Sequence, residues 1–251
     1  MQHNFWRHPS PPGIPTIYCL SSSGAIRTVW LLEDLVANGK LEKYNLKNYK
    51  RGKNAKAPPE MKEGFRLGRS PTLTVSPASA PDEPPTPFVE SRLINQFLAD
   101  HYSEGLWKQE TPEYEARSAF FQEFSGTTLS TLTSLTLAMD LVPQATPWPF
   151  KVITMAIFYP IVKIMKQGLA DPLQFMEDSL SDELPWFSGP KLGLADFHII
   201  FAFDTCVQRG YFDSIKYPKL AKWHNTVLQL PSYQAAVGKM GGYNMKTFDS
   251  F

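Results

Sequence analysis

The stretch from Tyr18 to Leu35, "YCLSSSGAIRTVWLLEDL", places three consecutive serines between two segments of opposite character. The residues leading into it, Thr16 to Leu20 ("TIYCL"), are mostly β-branched or aromatic and favour extended chain. The residues after it carry Val29, Leu32, Leu35 and Val36 at helical spacing, and Asn38-Gly39 offers a stop. Ser21, Ser22 and Ser23 therefore occupy a strand-to-helix turn, where a hydroxyl satisfies free N–H groups and the helix end carries partial positive charge. One hydroxyl is enough for a cap. Three are explained either as a cap with two loop residues or as a site for an anion.

Working outward, strands are expected at Leu41–Tyr49, Thr72–Val75 and Phe88–Val89, with helices over Ala25–Val36 and Leu93–Tyr102. The proline-rich "SPASAPDEPPTP" lies between the last two strands and is read as a long hairpin loop. Past "SEGLWKQETPEY" nearly everything has helical spacing, with Pro143, Pro147, Pro149, Pro160, Pro172 and Pro185 as expected interruptions. A mixed α/β unit over residues 1–103 and an all-helical one over 104–251 follow from that order. At 251 residues and 43% hydrophobic content there is material for both cores.

Composition excludes several classes. Lys and Arg total 25 against 24 Asp and Glu, a net charge of +1, which does not fit a chain whose main partner is nucleic acid. Cys19 and Cys206 make neither a disulfide framework nor a zinc site, and His3, His8, His101, His198 and His224 show no ligand spacing, so no metal is expected. A reducing, cytoplasmic compartment is the natural expectation. The start, "MQHNFWRHPSPPGIP", lacks the apolar run of an export signal and reads as an irregular surface arm. "VITMAIFYPIV" is read as too short for a bilayer span, hence a buried or interfacial helix, and no integral membrane segment is expected.

Three further motifs bear on the serines. "LGRSPTLTV" sets Ser70 and Pro71 before a strand, where a cis peptide bond is accommodated. "PFVESRLINQFLADHY" puts Glu90 and Ser91 at the next strand-to-helix turn, ahead of Leu93, Ile94, Phe97 and Leu98. "GPKLGLADFHIIFAF" begins a helix with Gly193 at the cap and Asp196 three residues on, a position where a carboxylate accepts backbone N–H groups. Between Lys40 and Arg69 there are ten basic residues and three acidic ones, a local excess of +7, which suits either a solvated loop or an anionic ligand.

In this order and at these separations the motifs resemble the cytosolic glutathione transferases, over roughly residues 15–245, and in particular the serine-type fungal and bacterial enzymes of the yeast class. The likeness rests on "RTVWLLEDL", "GRSPTL", "VESRLINQFLADHY" and "PFKVITMAIFYPIVKIMKQGLADPLQFMEDSL". It implies an α/β thioredoxin-like N-terminal domain followed by an all-α C-terminal domain, with glutathione as co-substrate. In that pattern the activating hydroxyl precedes an arginine by four positions, which selects Ser23 ahead of Arg27, with Ser22 and Ser21 as substitutes if the turn shifts. The same pattern implies that Ser70, next to a cis Pro71, offers its backbone to the cysteinyl unit. Ser91 would hold the γ-glutamyl carboxylate, Glu90 the ammonium, and Arg69 would reach toward the glycyl carboxylate. It implies a homodimer acting on a small hydrophobic electrophile, in detoxification or in a biosynthetic route of secondary metabolism. A glutathione-dependent isomerase or lyase and a non-catalytic binding or assembly module are the rival readings.

Other residues invite chemistry less. "CLSS" matches the Cys-x-x-Ser of monothiol redox proteins, but Cys19 lies in the strand rather than at the helix start where thiolates are stabilised. No Gly-x-Ser-x-Gly elbow occurs. Ser125 and Thr128 either face a second-substrate site or serve helix packing, and Trp148, Phe150, Phe158 and Tyr159 either wall an apolar pocket or form core.

Overall fold

The computed structural model describes residues 12–52 and 56–247. Most of the stretch read as an N-terminal arm, and Lys53 of the basic run, lie outside the described residues. The chain divides into two compact units, one of Met1–Lys108 with Thr226–Phe251 and one of Gln109–Asn225.

The first unit is built on four strands, β1 (Thr16–Leu20), β2 (Asn45–Tyr49), β3 (Thr72–Val75) and β4 (Thr86–Phe88), in the order β2-β1-β3-β4. β1 pairs parallel with β2, Thr16 opposite Asn45, and antiparallel with β3, Thr16 opposite Thr74. β3 and β4 form the expected hairpin, and Pro87 fits because β4 is an edge strand with no further ladder to feed. β2 starts four residues later than expected, since Leu41–Tyr44 remain outside the ladder.

α1 (Ile26–Ala37) ends as anticipated. Gly39 adopts φ +66° and its N–H donates to the Val36 carbonyl, while Lys40 N–H donates to that of Leu35, so the last turn closes on itself. α2 (Ser91–Tyr102) buries Ile94, Phe97 and Leu98 as expected, but Leu93 is exposed and Asn95 is fully buried. Asn95 Oδ1 accepts the Thr28 hydroxyl of α1 at 2.8 Å, a bond that gives the buried oxygen and the buried hydroxyl a partner each.

The division at Lys108, rather than at residue 103, and the return of the C-terminal residues to the first unit have one cause. Glu33 and Asp34 of α1 are both buried. Asp34 accepts Trp107 Nε1–H at 2.9 Å and the Ser232 hydroxyl at 3.0 Å, and Glu33 accepts the Lys239 ammonium at 2.6 Å and the Tyr44 hydroxyl. Carboxylates taken out of water need such donors, and here they come from the segment before residue 109 and from α9 (Pro231–Lys239). Burial outweighs the donors at Asp34, whose pKa is raised.

The second unit contains α3 (Pro112–Phe124), a π-helical turn (Ser125–Leu129), α4 (Ser130–Ala145), α5 (Phe150–Gly168), α6 (Ala170–Asp178), α7 (Leu194–Gln208) and the start of α8 (Pro218–Gln229). Pro143 and Pro160 do not interrupt: each sits inside its helix, which forgoes one backbone bond there. Of α5 only Val162 is buried, while Ile153, Ile157 and Ile164 are exposed. The short apolar run lies within a longer helical stretch, Phe150–Asp178, which by length and composition alone is long and apolar enough to cross a membrane, an 18-residue window of it having mean hydropathy 1.3.

The anchor of this unit is Asp196, fully buried at the start of α7. It accepts the N–H groups of Phe187 (2.9 Å), Ser188 (3.3 Å) and Gly193 (3.2 Å) and the Trp223 indole (3.0 Å). Gly193 has no capping side chain, and Ser188 supplies one instead by accepting the Ala195 N–H at 3.1 Å. The substitution is forced by space: a Cβ on residue 193 would stand 2.6 Å from the Ser188 side chain. Asp196→Ala strips four buried donors of their acceptor and is expected to cost about 3 kcal/mol or more, measured by urea unfolding, whereas Ser188→Ala should cost about 1 kcal/mol.

Candidate functional site

A cavity of about 670 Å³ opens in the first unit at the C-terminal end of β1. Its wall includes Ser23, Ser70, Arg51, Lys56, Lys62 and Arg69. The register explains the convergence. β1 and β3 run antiparallel with Tyr18 opposite Thr72, so two steps further Leu20 meets Ser70, and Leu20 N–H donates to Ser70 Oγ at 2.9 Å. Ser70 precedes Pro71 through a cis peptide bond. Ser70 and Pro71 come just before β3 and Glu90 and Ser91 just after β4, so the antiparallel pair with Leu73 opposite Phe88 sets all four residues at the same end of the sheet. Neither Glu90 nor Ser91 belongs to the cavity wall. Glu90 is exposed at the cap of α2 with φ +69°, and Ser91 is half-buried at its first turn.

The three serines take different environments. Ser22 is fully buried with φ +44°, and its hydroxyl accepts the backbone N–H of Asn244 at 3.0 Å. Ser21 continues the strand, its N–H donating to the Tyr49 carbonyl at 2.9 Å. Only Ser23 of the three is on the cavity wall. Its Oγ lies 2.9 Å from Ser70 Oγ and accepts Ala25 N–H at 3.2 Å. Left-handed backbone at a non-glycine residue costs of the order of 1 kcal/mol and is held only where surrounding bonds insist on it. At Ser22 those bonds include Arg51, whose Nε donates to the Ser21 carbonyl at 3.0 Å and whose second nitrogen donates to that of Ser22 at 3.1 Å.

Two components escaped the sequence reading. Arg51 had a signal, its place in the basic run, but nothing marked it as a clamp on the serine turn. Asn244 had none, because its partner is 222 residues away. The basic excess itself divides: Arg51, Lys56, Lys62 and Arg69 reach the cavity wall, while Lys40 and Lys47 pair with Glu104 and Glu63. Arg27, half-buried in the first turn of α1, has its pKa pushed down to about 10 by burial, so it stays charged near neutrality.

The remaining candidates are structural in position. Cys19 and Cys206 are fully buried, and burial pushes both thiols up, that of Cys206 to about 11, away from thiolate chemistry near neutrality. In the helical unit Ser125 is buried and donates to the His198 carbonyl at 2.8 Å, Thr128 is exposed, and His224 shares a 2.6 Å bond with Asp204. Trp148 and Phe150 are exposed and not core, whereas Phe158 and Tyr159 line a separate cavity of about 380 Å³ with Lys163 and Lys166. Among the described residues no cluster of three His, Cys, Asp or Glu could hold a metal ion. Ser22→Ala is expected to lower stability by about 1 kcal/mol, because Asn244 N–H loses its acceptor, and to leave ligand binding at the cavity intact. Thermal unfolding with and without ligand checks both halves.

Residues 148–231 match the glutathione S-transferase C-terminal domain family. The chain is 26% identical over 226 residues to Glutathione S-transferase 1 of Saccharomyces cerevisiae, covering 89% of this chain and 94% of that protein. Among solved structures, a glutathione S-transferase from Actinobacillus pleuropneumoniae aligns with TM-score 0.66 and 23% identity over 95% of this chain and 97% of that one. The glutathione transferase URE2P8 from Phanerochaete chrysosporium, solved with oxidized glutathione, aligns with TM-score 0.66 and 21% identity over 90% and 94%. A four-stranded mixed sheet with flanking helices, a match to the glutathione S-transferase C-terminal domain family over residues 148–231, and a relative similar along nearly its whole length give the chain the glutathione transferase fold and support kinship with the cytosolic glutathione transferase superfamily.

Proposed function

We propose that the protein is a serine-type glutathione transferase, of the yeast class it resembles, that conjugates glutathione to a hydrophobic electrophile. The observation that carries the reading is the Ser23 hydroxyl on the wall of a basic cavity at the end of β1. Glutathione has two carboxylates, one ammonium and a thiol that attacks only as thiolate. A cavity of about 670 Å³ with Arg51, Lys56, Lys62 and Arg69 on its wall suits a small dianionic ligand.

Lowering a thiol from pKa about 8.5 by two units requires about 2.7 kcal/mol of preference for the anion. A hydroxyl donating to a charged acceptor contributes about 1.5–3 kcal/mol, and the α1 N-terminus about 0.3–1 kcal/mol. The two together reach the required amount, and no general base is needed. The thiol proton leaves to solvent, the sulfur lone pair forms the new bond to carbon, and the leaving group departs with its electron pair.

In the same reading Arg69 answers the glycyl carboxylate, the Ser70 backbone the cysteinyl unit, and Ser91 and Glu90 the γ-glutamyl carboxylate and ammonium. The placement of Ser70 and Pro71 just before β3 and of Glu90 and Ser91 just after β4, at one end of that antiparallel pair, supports this assignment. A cytoplasmic homodimer belongs to the proposal as well.

Turnover of glutathione with an activated aryl halide is the test. Ser23→Ala is expected to lower kcat about 10- to 100-fold with a smaller change in glutathione affinity, while Ser22→Ala stays near wild type. A larger loss in Ser22→Ala contradicts the choice of hydroxyl. Tight glutathione binding without any conjugate points to the isomerase or lyase chemistry instead.

A further inference from the structure

Ser70 does more than precede a proline. Its Oγ accepts the Leu20 N–H at 2.9 Å and stands 2.9 Å from Ser23 Oγ, which in turn accepts the Ala25 N–H at 3.2 Å. Two hydrogens must be placed on this pair. If Ser23 donates to Ser70, the Ser23 hydrogen is spent and Ser23 faces the cavity with a lone pair. If Ser70 donates to Ser23, both acceptor positions of Ser23 are filled, by Ser70 and by Ala25, and its hydrogen is free to point into the cavity. An anion on the cavity side favours the second arrangement, because an anion accepts and does not donate.

From the chain Leu20 N–H, Ser70 hydroxyl, Ser23 hydroxyl, we infer that Ser70 is a positioning residue, whose O–H donates to Ser23 Oγ so that the Ser23 proton is aimed at the sulfur. The inference rests on the reading of Ser23 as the sulfur's donor. Donation into Ser23 Oγ also polarises its O–H, since successive hydrogen bonds strengthen one another. The Leu20 N–H, its hydrogen fixed by the backbone, fills one acceptor position on Ser70 Oγ and leaves the Ser70 hydrogen available to donate to Ser23 Oγ, the arrangement an anion in the cavity selects. A purely structural role, satisfying the Leu20 N–H at the strand end, makes a different prediction.

The experiment compares wild type, Ser70→Ala, Ser70→Thr, Ser23→Ala and the double variant Ser23→Ala/Ser70→Ala, with glutathione and an activated aryl halide. The apparent pKa of the bound thiol is read from the pH profile and from thiolate ultraviolet absorbance. Ser70→Ala is expected to raise that pKa by about half to one unit and lower kcat about three- to tenfold, with glutathione affinity little changed. Ser70→Thr restores both, and in the Ser23→Ala background Ser70→Ala adds nothing, because it acts through a hydroxyl already gone. An unshifted pKa in folded Ser70→Ala, or an equal effect in both backgrounds, overturns the proposal. Should Ser70→Ala not fold, Ser70→Cys replaces it, keeping an acceptor for Leu20 N–H but donating weakly; a wild-type pKa there overturns the proposal equally. An unshifted Ser23→Ala would instead remove the Ser23 reading itself, a result distinct from a shifted Ser23→Ala beside an unshifted Ser70→Ala.

Discussion

The 2.9 Å contact between the Ser23 and Ser70 hydroxyls joins the turn after β1 to the start of β3, positions 47 residues apart. It exists because the antiparallel register brings Leu20 level with Ser70, and because the serine turn is held in one conformation from two other sides. Arg51 grips the Ser21 and Ser22 carbonyls, and Asn244 occupies the Ser22 hydroxyl. With Ser22 so engaged, the chain emerges with Ser23 at the cavity. Which of the three serines reaches the cavity wall is thus decided by backbone conformation rather than by hydroxyl chemistry, which they share.

Buried carboxylates organise the remainder. Asp34 and Glu33 collect donors from Trp107, Ser232, Lys239 and Tyr44 within the first unit. Asp196 collects four in the helical unit, and Glu177 accepts the N–H groups of Lys219 and Leu220 at 3.0 and 2.9 Å, closing the N-terminus of α8 with a negative charge where the helix end is positive. Each such group is costly to bury alone and becomes specific once its donors come from distant segments. The same logic, with the sign reversed, operates at the cavity: cationic side chains and oriented donors gather at one end of the sheet and suit an anion that the chain itself does not provide.

The strands and helices around this site were legible because their signals are local. "TIYCL" and "TLTV" form strands over the expected residues, and Asn38-Gly39 ends α1 as its residue types require. Less local matters were not. Leu93 matches helical spacing yet faces solvent, because α2 begins at Ser91 and Asn95 is drawn inward by Thr28. The prolines of α4 and α5 looked like breaks, but both helices run through them, each forgoing one backbone bond. The unit boundary moved because Trp107 and Ser232 answer Asp34, a partnership that no periodicity encodes. At the site, Ser23, Ser70 and Arg69, all three on the cavity wall, could be named through the family resemblance. Arg51 and Asn244 could not, since their contribution is to backbone carbonyls and to a hydroxyl far along the chain.

The central claim is that one hydroxyl at the end of β1 stabilises a sulfur anion held at this corner of the sheet. A crystal structure of the protein with reduced glutathione measures it most directly. The account predicts the sulfur within hydrogen-bond reach of Ser23 Oγ, about 3.0–3.5 Å, with the Ser23–Ser70 contact retained and Ser22 still engaged by Asn244. A sulfur placed against Ser21 or Ser22, or a tripeptide bound with its thiol away from all three serines, would contradict it.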